Sequence, residues 1–566
     1  MRMNTALAVA LSCLLAGPAL AQFRLADDPD LKSAVPLEVD LGPTLATPGS
    51  STGTGQPPRI GANVQINAPQ HLFPAGLVGR SETSIATASG GSKLVAGWND
   101  ADGFCGAPFF SGCTTVPPPG LSGYGYSSNG GVTWTDPGAP PLLGTNIITR
   151  GDPWLDVGGA DGQTFFFANL AIDPVGNSLG VGIHRGRFSG PSFAFTSVVA
   201  LDSPRNAIRP GADFYDKLSI ATGKGGSNSA FMSVTNFQEL CGNAQFGFGQ
   251  IEVWRTHDGG ESWQGPAIAG PEAPDSVANC GFIGTLQQTS VAAVGPGGEV
   301  YVVWQYGPTF TNVTSTDAKI VLARSLDGGA TFEPFGVVAN INSMRQNPPV
   351  GYTRARLNDH PRIDVAQDGP FKGRVYVSYY SAVTPVGAPP TPTAQSLVSS
   401  EIFVRYSDDR GSTWSAPVRV APAVPATGLK RFWPVVTVQP GGTVDVVFYE
   451  SQERPGNAAN GENTANCNVA AAGRAGPAHS FIDTWWAEST NGGASFSRLQ
   501  RVSERTTDWC RVGSNIVPNF GDYIGSASAA NRVFPIWADG SVPFLADGRG
   551  IPEVFMAPIK TAGKSP

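Results

Sequence analysis

The chain is poor in charge. Only 14% of its 566 residues are Asp, Glu, Lys or Arg, the formal net charge is −7, and no cluster of Lys and Arg stands out. Phosphate backbones are held by clustered cations, so a nucleic-acid partner is not expected. Histidine is scarce, at 5 residues, and there is no Cys-x-x-Cys pair or His-rich spacing. That speaks against a resident metal and against a cofactor held by one. The segment Asn99 to Asp102 resembles a calcium-type oxygen cluster but lacks the full loop spacing, so it reads as a surface turn. Long apolar runs are missing beyond the N-terminus, and stable membrane insertion is not expected.

The N-terminus itself has the pattern of a secretory signal. Arg2 is the charged region, Ala6 to Leu15 the apolar region, and Ala19-Leu20-Ala21 a small-residue cleavage site. Residues 1–21 read as signal peptide, 22–60 as a Pro/Gly/Ser/Thr-rich lead-in without periodicity, and 61–560 as the folded body. The expected location is secreted or periplasmic. After cleavage six cysteines remain: Cys105, Cys113, Cys241, Cys280, Cys467 and Cys510. An even number in an exported chain reads as three disulfides.

Glycine (71) and proline (48) are abundant, as in proteins built from many short strands and turns. Five segments repeat one pattern, S/T-x-D/N-x-G-x-S/T-W/F. They are Ser127–Trp134, Thr256–Trp263, Ser325–Phe332, Ser407–Trp414 and Ser489–Phe496. The Asp or Asn accepts turn amides, the glycine takes a backbone angle that a Cβ resists, the hydroxyl satisfies another amide, and the ring buries itself. Each part is structural. The first interval, from residue 127 to 256, spans about two units, so a unit without a box lies near Arg187–Phe193.

Around the boxes runs a fixed order of strands. The apolar second strands are Leu94–Trp98, Thr164–Asn169, Ala230–Asn236, Val300–Gln305, Arg374–Tyr380, Thr443–Glu450 and Arg532–Ala538. Each follows a first strand: Ser84–Ala88, Trp154–Val157, Leu218–Ala221, Ser290–Ala293, Arg362–Ala366, Val435–Val438 and Ile524–Ser528. Seven units result. The fold class expected is all-β: a β-propeller of four-stranded blades, seven in number, with six as the alternative. The last unit shows three strands, ending at Glu553–Pro558, and Asn63–Asn67 is placed to supply its fourth. That closure removes a sheet edge.

At its boxes the chain resembles the Asp-box, or BNR-repeat, propellers of the sialidase-like superfamily over about residues 61–560. Sialidase catalytic domains have six blades, and the chain departs from them in this count. The resemblance implies one face carrying the second-to-third loops, opposite the boxes. The long insertions Asn99–Ser122, Phe237–Phe248, Tyr306–Ala318, Ser381–Ser400 and Ser451–Ser480 all fall there. Such loops carry ligand sites. The same layout suggests the pairs Cys241–Cys280, Cys467–Cys510 and Cys105–Cys113.

The entries to the first strands would face the central channel, and they hold ionisable groups: Arg80, Glu82, Arg150, Asp152, Asp213, Asp216, Lys217, Asp359, His360, Arg362, Arg431, Asp522 and Tyr523. The resemblance implies an Arg cluster for a substrate carboxylate, with Arg80, Arg150 and Arg431 as candidates and Arg362, Asp216 and Asp522 as further binding residues. It implies a Tyr nucleophile with a Glu base, here Tyr523 with Glu82, and an Asp acid/base, here Asp100 or Asp152. The F/Y-R-I-P motif of the family is absent; the stretch reads Gly79-Arg80-Ser81-Glu82-Thr83. His360 with Tyr523 offers a pair for proton abstraction, as in propeller polysaccharide lyases.

The leading expectation is a monomeric, sialidase-like exo-glycosidase acting on extracellular glycans by retaining hydrolysis. A non-catalytic propeller that binds carbohydrate or protein, and a polysaccharide lyase, are the alternatives.

Overall fold

In the computed structural model, residues 58–68, 78–101, 120–143, 147–173, 178–202, 213–238, 248–271, 286–307, 318–345, 347–354, 356–383, 398–424, 429–454, 479–545 and 548–561 are described. Among them there is no α-helix, only strands and short 3-10 turns. The strands pair as antiparallel meanders, each in chain order. Arg80–Ala88, Lys93–Asp100, Ser122–Ser127 and Thr135–Gly138 form one sheet. Asp213–Thr222, Ala230–Gln238, Phe248–Thr256 and Gln264–Ile268 form another, as do Leu286–Val294, Val300–Gly307, Lys319–Ser325 and Gly336–Asn340. Strands from 362 to 419 and from 429 to 501 form two further meanders, joined through one parallel pair, Ser400 with Lys430.

The unit without a box is built from Trp154–Gly158, Thr164–Asp173, Ser178–Ser189 and Ser192–Leu201. Its last two strands meet in a tight turn at Gly190, φ +60°. The final sheet holds Gly525–Ala529, Arg532–Asp539 and Glu553–Met556, and Val64–Gln65 pairs with Glu553–Met556 from the other end of the chain. The first strands pack side by side in chain order, and Gly525–Ala529 packs back onto Arg80–Ala88. This is a β-propeller arrangement.

Two boundaries differ from the sequence reading. Arg59–Ile60, placed in the lead-in, pairs with Ile559–Lys560 and belongs to the last sheet. Several first strands start earlier than their apolar pattern, for example at Arg80, Asp213 and Leu429. Those extra residues mix charged and aromatic side chains, and a bulge separates them from the regular ladder.

The second strands are apolar on both faces because neighbouring sheets cover both. Val300–Trp304 is buried throughout, between clusters that reach into the sheets on either side.

The boxes fasten one sheet to the one before it. In Ser325–Phe332, Ser325 Oγ donates to Asp327 (2.7 Å) and accepts from Gly329 N (2.8 Å), and Asp327 accepts from Thr331 N (3.0 Å). The other four boxes repeat these bonds. Gly329 has φ +80°, and a Cβ there would lie 2.8 Å from Phe231 of the preceding sheet. Gly131, Gly260, Gly411 and Gly493 meet Met556, Phe166, Leu322 and Tyr376 in the same way. Arginines of the preceding sheet donate to box carbonyls: Arg185 to Gly259 O, Arg255 to Gly329 O and Arg374 to Gly492 O.

Cys510 is disulfide-bonded. Cys105, Cys113, Cys241, Cys280 and Cys467, and most of the long insertions, lie outside the described residues.

Candidate functional site

Five of the first strands enter through a residue forced out of the β region. Glu82, Asp152, Lys217, Thr289 and Trp433 all have φ between 49° and 63°. For Glu82, Lys217, Thr289 and Trp433 the ladder slips at this point. Non-glycine residues in the left-handed region are strained and persist where the surroundings fix them. The pattern Asp152-Pro153-Trp154-Leu155-Asp156-Val157 recurs as His360-Pro361-Arg362-Ile363-Asp364-Val365. His360 and Tyr523 thus hold the matching places in the two remaining strands.

These residues converge. Lys217 Nζ lies 2.8 Å from Glu82 Oε1, 3.0 Å from Asp152 Oδ2 and 3.0 Å from Asp522 Oδ2. All four side chains are at most 9% exposed. Asn99 braces the group: its Nδ2 donates to Glu82 (2.8 Å), and its Oδ1 accepts from Asp152 N (2.8 Å). Asp522 N donates to Glu82 Oε1 (3.0 Å). A side-chain hydrogen bond also links Asp152 to Glu82.

Burial, then the Glu82 charge, push the Asp152 carboxyl well above the usual range. Burial opposes the charge on Lys217, but Asp152, Glu82 and Asp522 outweigh it and raise its pKa. Asp522 is also buried, yet the cations of Arg354 and Lys217 hold it far below the ordinary value.

The mouth of the channel is lined by cations from an unexpected source. The connection Ile341–Pro361 crosses it. Tyr352 OH lies 2.7 Å from Gly521 O and 3.0 Å from Asp522 Oδ1. Asn519 Nδ2 donates to Gly351 O (2.8 Å), and Asn519 N donates to Thr353 Oγ1 (2.9 Å). Val350 N donates to Glu453 (2.8 Å). Held this way, Arg354 pairs with Asp522 while its side chain stays 21% exposed. Arg356 and Arg150 are half-buried and both face Asp216. Burial lifts the Asp216 carboxyl to about 6, and Gln288 Nε2 donates to it (2.9 Å).

The expected site residues divide into two sets. Glu82, Asp152, Asp216, His360, Arg362, Asp522 and Tyr523 meet around the channel, with Arg150 beside Asp152 and Asp216. Arg80, Asp100 and Arg431 do not join them. Arg80 is the cross-strand partner of Asp100 and bonds it (3.1 Å) and Glu553 (2.5 Å). Asp100 also accepts from the Trp98 indole (3.0 Å). Arg431 is the cross-strand partner of Glu450 and bonds it at 2.7 Å. At both of these positions, two residues before the left-handed one, the arginine is held by a carboxylate across its own sheet. The arginine cluster of the mouth is therefore Arg150, Arg354 and Arg356 rather than Arg80, Arg150 and Arg431.

Tyr523 is placed differently from a nucleophile with a Glu base. Its hydroxyl donates to Pro153 O (2.9 Å), and burial and then Glu82 raise its pKa. Its ring stands edge-on to His360 and next to Trp154, both at 5.5 Å. Burial, then the Arg362 charge, keep His360 neutral. Asn99, read as part of a surface turn, braces the two acids. Among the described residues no group of His, Cys, Asp and Glu is arranged to hold a metal ion.

No protein-family model matches the chain, and no curated protein does. Solved structures resemble it loosely. A protein of unknown function from Dyadobacter fermentans is 15% identical, with 89% of this chain and 99% of that one covered and a TM-score of 0.40. A GH93 alpha-L-arabinofuranosidase of Fusarium graminearum is 13% identical over 69% of this chain and 92% of its own, TM-score 0.40. A Hadza microbial sialidase is 11% identical over 83% and 74%, TM-score 0.38. Likenesses this distant carry no inference about activity.

Proposed function

We propose that the chain is an exported propeller of seven four-stranded blades, closed by Val64–Gln65, that acts on acidic glycans at its channel mouth. The observation that carries this reading is the convergence of Arg150, Arg354 and Arg356 over a buried carboxyl pair, Asp152 and Glu82. Guanidinium groups recognise carboxylates through paired N–H donors, and partly exposed arginines above a buried acid cluster suit a sugar carboxylate. Asp152 is the proton donor assigned: burial and the Glu82 charge raise its carboxyl, which favours the protonated form that can protonate a glycosidic oxygen. Hydrolysis of a sialoside or related acidic sugar is the reaction assigned.

A second reading, a carbohydrate-binding propeller without turnover, is favoured by the Tyr523 hydroxyl, which is committed to Pro153 O. The three disulfides proposed are Cys105–Cys113, Cys241–Cys280 and Cys467–Cys510.

Incubation with a fluorogenic sialoside separates the readings. Turnover that is lost in Asp152→Asn supports hydrolysis. No turnover, with retained binding of acidic glycans, supports the binding module. Absence of both refutes the proposal.

A further inference from the structure

Below the mouth the channel is crossed by a second group. Trp154, His360, Arg362 and Tyr523 come from three different first-strand entries and pack together. The Arg362 guanidinium lies 4.0 Å from the Trp154 ring centre and 5.2 Å from that of Tyr523. Its Nη2 donates to Ile524 O (2.8 Å). The residue is only 6% exposed.

Arg362 lacks a counter-charge that four other buried cations have: Arg80 has Asp100 and Glu553, Lys217 has Glu82, Asp152 and Asp522, Lys430 has Glu453, and Arg431 has Glu450. Among the described residues, Arg362 has none. A guanidinium stays ionised in proteins, and a buried ion without a partner is costly. The aromatic faces offset part of that cost by cation–π attraction, but they do not neutralise the charge. Neighbouring His360 is neutral and supplies no anion.

Trp154 is only partly buried. The indole covers a face of the guanidinium, and among the described residues the bond to Ile524 O leaves its other N–H donors without a protein partner. In-plane N–H donors beside an apolar face suit a small monovalent anion, the size of a halide.

We propose that the propeller channel holds a small monovalent anion, chloride in a saline medium, against the edge of Arg362. This site lies apart from the mouth arginines and does not depend on the glycan reading. Bound there, the ion supplies the counter-charge that the fold omits and fastens three sheets together at the channel centre.

Two measurements test it. Chloride NMR line widths on the full mature chain should show excess broadening that competing bromide reverses, and Arg362→Met, which keeps an apolar stem against Trp154, should lose it. Crystals of the unaltered protein soaked in bromide should show an anomalous peak within hydrogen-bond range of the Arg362 guanidinium. A wild-type protein without excess broadening, or broadening unchanged in the folded variant, overturns the proposal. So does bromide found only elsewhere, which decides the matter even where the variant does not fold.

Discussion

Asp445 carries its proton into the interior. Trp486 Nε1 and Gln439 Nε2 donate to its two oxygens (2.8 and 2.7 Å), and burial lifts the carboxyl from 3.8 to about 8. The folded state keeps a proton that the unfolded chain releases. This group's contribution is therefore full below its unfolded pKa and is lost as pH rises toward about 8. Asp445→Asn preserves the shape and does not ionise. Its melting temperature should exceed that of the unaltered protein near pH 8, and the gap should narrow steadily as pH falls toward about 4; a constant gap across that range would argue against burial as the cause. Lys217 is the opposite case, a cation shared by three buried acids. Lys217→Met leaves Glu82 and Asp522 short of a counter-charge and should cost about 3–5 kcal/mol in denaturant unfolding. Glu82, Asp152, Asp522 and Tyr523 were legible in the sequence because ionisable residues are rare in it and these stand at strand entries. Arg354 and Arg356 were not legible. They lie in a connection without periodicity, and only the bonds from Asn519, Gly521 and Glu453 bring them to the mouth.

At the scale of elements, the boxes were read as turns, and their bonds follow from their composition. Their second role was hidden. The glycine at the fifth position of each box is needed because a side chain of the preceding sheet, such as Phe231 behind Gly329, occupies the place of a Cβ. No local pattern announces that partner. Ser325→Ala removes the acceptor of Gly329 N and the donor to Asp327. It should cost about 1–2 kcal/mol and leave glycan turnover or binding unchanged, since the boxes lie at the end of the strands away from the mouth. A loss of glycan handling in a stably folded Ser325→Ala protein would place function at the wrong end. The first strands were read short because the apolar pattern starts only after the bulge. The residues before it mix charged and aromatic side chains, and a regular hydrophobic pattern does not see them.

At the scale of the molecule, unit order and the role of the N-terminal strand were legible from spacing alone. The lead-in was drawn too long because Arg59–Ile60 adds only two residues to a sheet completed at the far end of the chain. Removing residues 22–68 deletes both short strands and the Asn67 bonds to Glu553 and Val554 N. The edge of Glu553–Met556 is then open. The shortened chain should melt at a lower temperature and self-associate in light scattering; unchanged melting would show that the ring does not need this closure. The proposed function rests on Arg150, Arg354 and Arg356 acting together on a carboxylate. The most direct test is calorimetric titration of the folded protein with a sialylated oligosaccharide and its desialylated counterpart, repeated with the Arg354→Ala, Arg356→Ala double variant. Binding of the sialylated sugar alone, weakened at least about tenfold, or about 1.4 kcal/mol, in the variant, is the result predicted. Equal affinity for both sugars, or affinity untouched by loss of the two arginines, would contradict it.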